Sequence, residues 1–309
     1  TDSISLSLEK GKKYKLVAEY FDGGGSASAK LYWRVPDTDQ RAVIDLYGEA
    51  GNIMRKCDLT VAVLGINQSI EREGQDRSSI ELPKEQQAFI EEAYKINPNT
   101  VVVLVAGSSL AINWMDEHIP AIVNAWYPGE AGGTAITEVL FGDYNPGGRL
   151  PLTYYNSLDE LPAFNDYDIR KGRTYQFFEG KPLYAFGYGL SYTTFSYKKL
   201  NIDSSGDTVK VSFTLKNTGK YEGDEVAQLY VKYQGTDSSV KMPLKQLKGF
   251  ERVHLKKGES RQVILTVPKS ELRFWDEAKG EFFTPSGDYL FMVGSASDAI
   301  QLQQILKNL

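Results

Sequence analysis

Three apolar runs constrain this chain more than any other feature. Leu59-Thr60-Val61-Ala62-Val63-Leu64-Gly65 is the first, residues 100–106 the second and residues 121–126 the third. Each is nearly continuous in apolar side chains, as expected of strands covered on both faces of a parallel sheet. Between the first two, Pro83 suits a first helical position. Phe89, Ile90, Ala93 and Tyr94 then share one apolar stripe, and the pattern stops before Asn97-Pro98. A second helix is expected over Gly133 to Phe141, stopped by Gly142. Strand and helix in alternation predict a mostly parallel α/β sheet. The runs are far too short to span a bilayer, so no membrane span is expected.

The first run empties directly into Glu71-Arg72-Glu73-Gly74-Gln75-Asp76-Arg77, with five charged side chains in seven residues. Ligands of open α/β sheets bind outside the carboxyl ends of the strands. A solvated polar loop held by local ion pairs would have the same composition. Gly74 allows the backbone a sharp turn and a close approach to a ligand. Arg77, beside Asp76, is expected to hold the loop through an ion pair rather than to touch a ligand.

The chain has 309 residues, enough for two domains and a further piece. Residues 1–37 read as short strands, among them Ile4-Ser5-Leu6-Ser7-Leu8, Tyr14 to Tyr20 and Ala29 to Trp33, and are too few for a core of their own. Residues 38–160 carry the α/β pattern. Residues 161–199 form an aromatic connector with little regular pattern, expected to pack over the α/β domain. Residues 200–309 change to alternation, most clearly in Thr208 to Lys216, with further strands at Val226 to Tyr233, Gln262 to Val267 and Tyr289 to Val293. Short strands separated by turn signals predict a sandwich of immunoglobulin or fibronectin III type. The expected architecture is therefore multidomain: an α/β sandwich with a mostly parallel sheet, followed by an all-β sandwich.

Composition excludes several functions. A net charge of -5 gives no basic face for nucleic acid. Cys57 is the single cysteine, so neither an internal disulfide nor a cysteine metal cluster can form. His118 and His254 are the only histidines and lie in no motif, so no metal or cofactor is expected. A nucleophile at Ser191 or Cys57 would need a base that neither motif supplies. Aromatic residues reach 12%, which favours sugar stacking mildly, although β-sandwiches also use tyrosine heavily. The chain opens straight into strand-like sequence with no signal peptide, which suggests a piece of something longer.

Several segments together resemble glycoside hydrolase family 3. They are Gly65 to Arg77 followed by Glu81-Leu82-Pro83 and Gln86-Gln87, then Ala125 to Gly133, Leu140 to Pro151 and Ala185 to Phe195. Leu247-Lys248-Gly249-Phe250 and Pro285 to Tyr289 resemble the family's C-terminal fibronectin III-like domain, and the tail at Trp33 is similar to the end of a PA14 domain. The pair of glutamates before Gln75-Asp76-Arg77, with Gly172-Arg173-Thr174-Tyr175, looks more like the β-xylosidase branch than the β-glucosidase branch.

The resemblance implies part of a retaining exo-β-glycosidase acting on terminal non-reducing β-D-xylosyl or β-D-glucosyl residues of an oligosaccharide or aryl glycoside. Its nucleophile would lie on an N-terminal (β/α)8 barrel that this sequence does not contain. The acid/base would come from the acidic loop, with Glu73 as the candidate and Glu71 as the runner-up. Tyr175 and Phe177 are candidates for contact with the aglycone. A periplasmic or secreted location would suit such a substrate. A non-catalytic carbohydrate-binding or scaffolding protein of the same fold is the alternative.

Overall fold

Continuous apolar runs do become parallel strands in the computed structural model, which describes residues 9, 11–15, 17, 48–235 and 241–309. The chain divides into two units, Thr1–Asn52 and Ile53–Leu309. The strands expected before residue 38 lie largely outside the described residues, and the second unit is described by itself.

The α/β part has three parallel strands in the order β1-β2-β3, with β1 at Thr60–Gly65, β2 at Thr100–Val105 and β3 at Ala121–Asn124. Helix α1, Lys84–Ile96, joins β1 to β2 and buries Ile90 and Ala93, as the apolar stripe requires. Pro83 sits one residue earlier than expected, as the cap before the helix rather than its first residue. A short helix α2, Asn113–His118, was not visible in the sequence pattern. Helix α3, Gly132–Phe141, ends at Gly142 as expected. Burial on both faces holds for β2, where Val102, Val103 and Leu104 are fully enclosed. It does not hold for β1, which turns Val61 and Val63 to an exposed face.

The sandwich pairs a four-stranded antiparallel sheet, order β12-β11-β6-β7, with a three-stranded one, order β4-β5-β8. The strands are β4 Phe195–Asp203, β5 Thr208–Asn217, β6 Gly223–Tyr233, β7 Gln246–Leu255, β8 Ser260–Pro268, β11 Tyr289–Gly294 and β12 Ile300–Leu306. A small hairpin of β9 Phe274–Asp276 and β10 Glu281–Phe283 stands apart. Alternation along β5 places Val209, Val211, Phe213 and Leu215 inward, where they meet Ala227, Leu229 and Val231 of β6 in one buried core.

The connector does more than cover the α/β part. It bonds to both sides. Tyr184 donates its hydroxyl to Asp116 at 2.6 Å on α2, and its backbone pairs with that of Tyr154 at 2.9 and 3.3 Å. On the other side, Ser297 N donates to Phe186 O at 2.9 Å and Leu244 N to Gln176 O at 2.7 Å. The strongest tie is charged. Arg149 donates from Nη2 to Glu225 Oε2 at 2.8 Å, and the Tyr197 hydroxyl donates to Glu225 Oε1 at 2.6 Å. Both ion-pair partners are buried, with side chains 8% and 5% exposed. Among the described residues, no helix is long and apolar enough to cross a membrane.

A buried pair that loses one member leaves an uncompensated charge. Arg149→Ala should therefore lower the unfolding free energy by about 3–5 kcal/mol, whereas replacing both partners by Met and Leu should cost far less. Urea unfolding of the three proteins checks this. Equal stability of Arg149→Ala and the parent would mean the pair does not hold the junction.

Candidate active-site loop

The loop after β1 is built in three steps. Asn67 starts it: its side-chain oxygen accepts from Ser69 N at 2.8 Å, and its carbonyl accepts from Ile70 N at 2.8 Å and Glu71 N at 3.0 Å. Side-chain oxygens of this kind are natural turn starters. Glu71 then anchors the chain to the end of β2. Finally Arg72 to Gln75 make a tight turn, closed by Gln75 N donating to Arg72 O at 3.1 Å. Gly74 takes φ 74°, a left-handed value that the third residue of such a turn requires. Glu73 is therefore at the tip. The end of β1 is itself fixed, because the Gln86 amide on α1 pairs with both backbone groups of Gly65 at 2.8 and 2.7 Å.

Glu71 is closely surrounded. Its Oε1 accepts from Gly107 N at 2.7 Å and from the Tyr127 hydroxyl at 2.6 Å. Its Oε2 accepts from the Ser108 hydroxyl and faces Arg77 Nε at 3.9 Å. The short bonds of Arg77 go to Ser108 Oγ at 2.8 Å and Ser109 O at 3.0 Å. Arg77 thus holds the loop as expected, but its acidic partner is Glu71 and not its neighbour Asp76. Partial burial works against the charged form of Glu71. The Ser108 and Tyr127 hydroxyls, the Gly107 amide and Arg77 outweigh it and hold the carboxyl below the ordinary glutamate range. Burial, with the Glu71 carboxylate beside it, pushes the Tyr127 hydroxyl up. A Cβ at residue 107 would lie 2.6 Å from the Tyr127 ring and 2.9 Å from Glu71 Oε1, so any larger residue there would push these two side chains aside.

Glu73 is the opposite case. Its side chain is exposed and makes no hydrogen bond or ion pair with a described residue. Two glutamates one residue apart thus stand in unlike environments. The structure does not bring Tyr175 and Phe177 to this loop. Phe177 is buried, and Tyr175 stacks on Phe186 at 4.3 Å between ring centres and accepts from Leu247 N at 3.0 Å, against the sandwich. No local signal in the sequence marks Tyr127, Gly107 and Ser108 as support for the loop, since they lie 56, 36 and 37 positions from Glu71. Among the described residues, no group of histidine, cysteine, aspartate and glutamate could hold a metal ion.

Residues 6–192 match the glycosyl hydrolase family 3 C-terminal domain, and residues 225–297 match a fibronectin type III-like domain. The first match runs through most of the 1–37 segment. Xylan 1,4-beta-xylosidase of Xylanibacter ruminicola is 37% identical over 306 residues, covering 94% of this chain and 34% of that protein. Beta-glucosidase of Kluyveromyces marxianus is 35% identical over 315 residues, covering 96% of this chain and 37% of that protein. The crystal structure of the latter in complex with glucose is similar with a TM-score of 0.81 at 35% identity, over 86% of this chain and 34% of that one. The chain spans about a third of the length of these curated relatives. Its α/β part, its antiparallel sandwich and the order of the two matches agree, and the chain belongs to glycosyl hydrolase family 3.

Proposed function

We propose that this chain supplies the general acid/base of a retaining exo-β-glycosidase, with Glu73 as the proton carrier. The substrate would be an oligosaccharide or aryl glycoside ending in a β-D-xylosyl or β-D-glucosyl residue. The observation that carries the reading is the contrast within one loop: Glu73 stands exposed at the tip of a turn with no side-chain partner among the described residues, while Glu71 and Arg77 pin the chain on either side of it. Family membership and the names of the two relatives support the sugar chemistry.

Retention of configuration needs two carboxyl groups about 5–5.5 Å apart. In the proposal, the nucleophile is an aspartate on an N-terminal (β/α)8 barrel. Glu73 first protonates the departing glycosidic oxygen. It then takes a proton from the water that releases the sugar from the nucleophile. A carboxyl group suits this work when its pKa lies near the working pH. Closure of a barrel over the tip, bringing a second carboxylate and excluding water, would raise it in that direction. Glu71 is poorly placed for proton donation, because its environment favours the ionised form and its acceptor sites are taken. The name of one relative, the periplasmic beta-glucosidase of Salmonella typhimurium, 35% identical over 80% of this chain, supports a periplasmic or secreted location.

Two outcomes test the assignment. In the barrel-containing enzyme, Glu73→Ala should lower turnover of a natural substrate by about 10²–10⁴-fold, with partial recovery on azide addition when an activated aryl glycoside is used. Unchanged turnover would move the role to Glu71 or elsewhere. The 309-residue chain alone should give no release from nitrophenyl xyloside or glucoside.

Glu71 has a separate signature in acid. A carboxyl group held below its unfolded pKa stabilises the fold above the ordinary glutamate range and loses that contribution as pH falls through the depressed value. At neutral pH, Glu71→Gln should cost about 1–3 kcal/mol in urea unfolding. The gap from the parent should close on acidification. A gap that stays constant from neutral to acidic pH would show that the charge of Glu71 is not what holds the loop.

A further inference from the structure

A second feature lies where α3 ends against the start of β6. There the chain forms an open groove of about 660 Å³, within the usual size of a small-ligand site. Four aromatic rings line it: Phe141, Tyr144, Tyr192 and Tyr221. Phe141 is 79% exposed and Tyr221 61% exposed. Exposed rings gathered in one concavity, rather than scattered singly, call for an occupant.

The groove is preformed. The Tyr192 hydroxyl donates to Val139 O at 2.6 Å, fixing its ring against α3. The Tyr144 hydroxyl accepts from Arg252 Nη2 at 2.6 Å, fixing its ring against β7. Asn145 ties the two walls together: its side-chain oxygen accepts from Tyr192 N at 2.8 Å and its amide donates to Glu222 O at 2.9 Å. Little ordering would be needed on binding, which removes one of the main costs of association.

The charges select the ligand. Asp143 and Glu222 are exposed in the lining and make no side-chain hydrogen bond or ion pair with a described residue. The cations beside them are already engaged. Arg252 Nε donates to Asp224 Oδ2 at 2.6 Å, and His254 Nδ1 is 2.7 Å from Asp224 Oδ1. The groove therefore offers ring faces and hydrogen-bond acceptors, and it repels anions. A ring of C–H bonds edged with hydroxyl donors matches both features: the C–H face lies on the electron-rich aromatic faces, and the hydroxyls donate to the carboxylates.

We infer that this groove binds a segment of uncharged oligosaccharide through Phe141 and Tyr221, with Asp143 and Glu222 accepting from its hydroxyls. The inference goes beyond the role of Glu73, and it is read by binding rather than by turnover, so either can fail alone.

The experiment is calorimetric titration of the 309-residue chain with xylohexaose and with cellohexaose. Saturable binding of at least one is expected, with a dissociation constant on the order of 1 mM or tighter. Phe141→Ala and Tyr221→Ala should each weaken it about tenfold or more, a change of ~1.4 kcal/mol. Both side chains are exposed, so thermal melting should match the parent. Phe250→Ala, which removes an exposed ring outside the groove, should leave binding unchanged. Binding should also hold between about 50 and 500 mM salt, since no ion pair forms with a neutral ligand. Absence of saturable binding overturns the inference, as does binding that both groove variants leave intact. Salt-sensitive capture of oligolysine by the groove, with no oligosaccharide bound, would assign it to a cationic partner instead.

Discussion

A glutamate carboxylate offers about four acceptor positions, and Glu71 has spent them on a backbone amide, two hydroxyls and the approach of a guanidinium. The arrangement joins three separate stretches of chain: the acidic loop, the end of β2 at Gly107 and Ser108, and Tyr127 after β3. Each follows one of the paired strands β1, β2 and β3, and beyond the strand ends the carboxylate joins them. Without the carboxylate, the Gly107 amide and the two hydroxyls would lose their common acceptor, and Arg77, through Ser108 and Ser109, would be left to hold the loop to the end of β2. A charged acceptor earns its place here because several neutral donors converge on it, and hydrogen bonds to an ionised group are roughly twice as strong as neutral ones.

The same anchor explains why neighbouring acidic residues behave differently. Glu71 is fixed because donors surround it; Glu73 is available because the turn at Gly74 carries it away from them. Chemistry that needs a tunable proton favours the residue whose surroundings can still change. Farther along the chain, Arg149, Glu225 and Tyr197 play a comparable structural part between the α/β region and the sandwich. There the charges are buried, and their contribution lies in orientation more than in net stability. The groove described above depends on that orientation, since its two walls come from the two sides of the junction.

The α/β order was legible because β1, β2 and β3 are runs of apolar residues interrupted by helices with clear stops. Two strands of the sandwich, β4 and β7, were not legible, for identifiable reasons. Along β4, the pairing with β5 shifts between Lys198 and Asn201, and Lys199 takes φ 59°, so the alternation is broken midway. Along β7, only Val253 and Leu255 are buried, and the register with β6 shifts between Leu229 and Tyr230. Helix α2 is six residues long, too short for periodicity to register. The acidic loop was legible as a candidate from its place after a strand. Its internal wiring was not, because Arg77 passes over Asp76 beside it for Glu71, and Tyr127 reaches Glu71 from 56 positions away. Local composition announces charge; only the fold decides the pairing.

One consequence concerns β1. It is an edge of the described three-stranded sheet, and Val61 and Val63 face outward from it. A flank that pairs with no further described strand and bears bare branched side chains is an invitation to foreign strands, and natural proteins blunt such flanks with charge. The described sheet thus carries an adhesive seam on β1, the strand that leads into the acidic loop. A Val63→Lys substitution would act as a gatekeeper there, improving its behaviour at high concentration while leaving the acidic loop as it is.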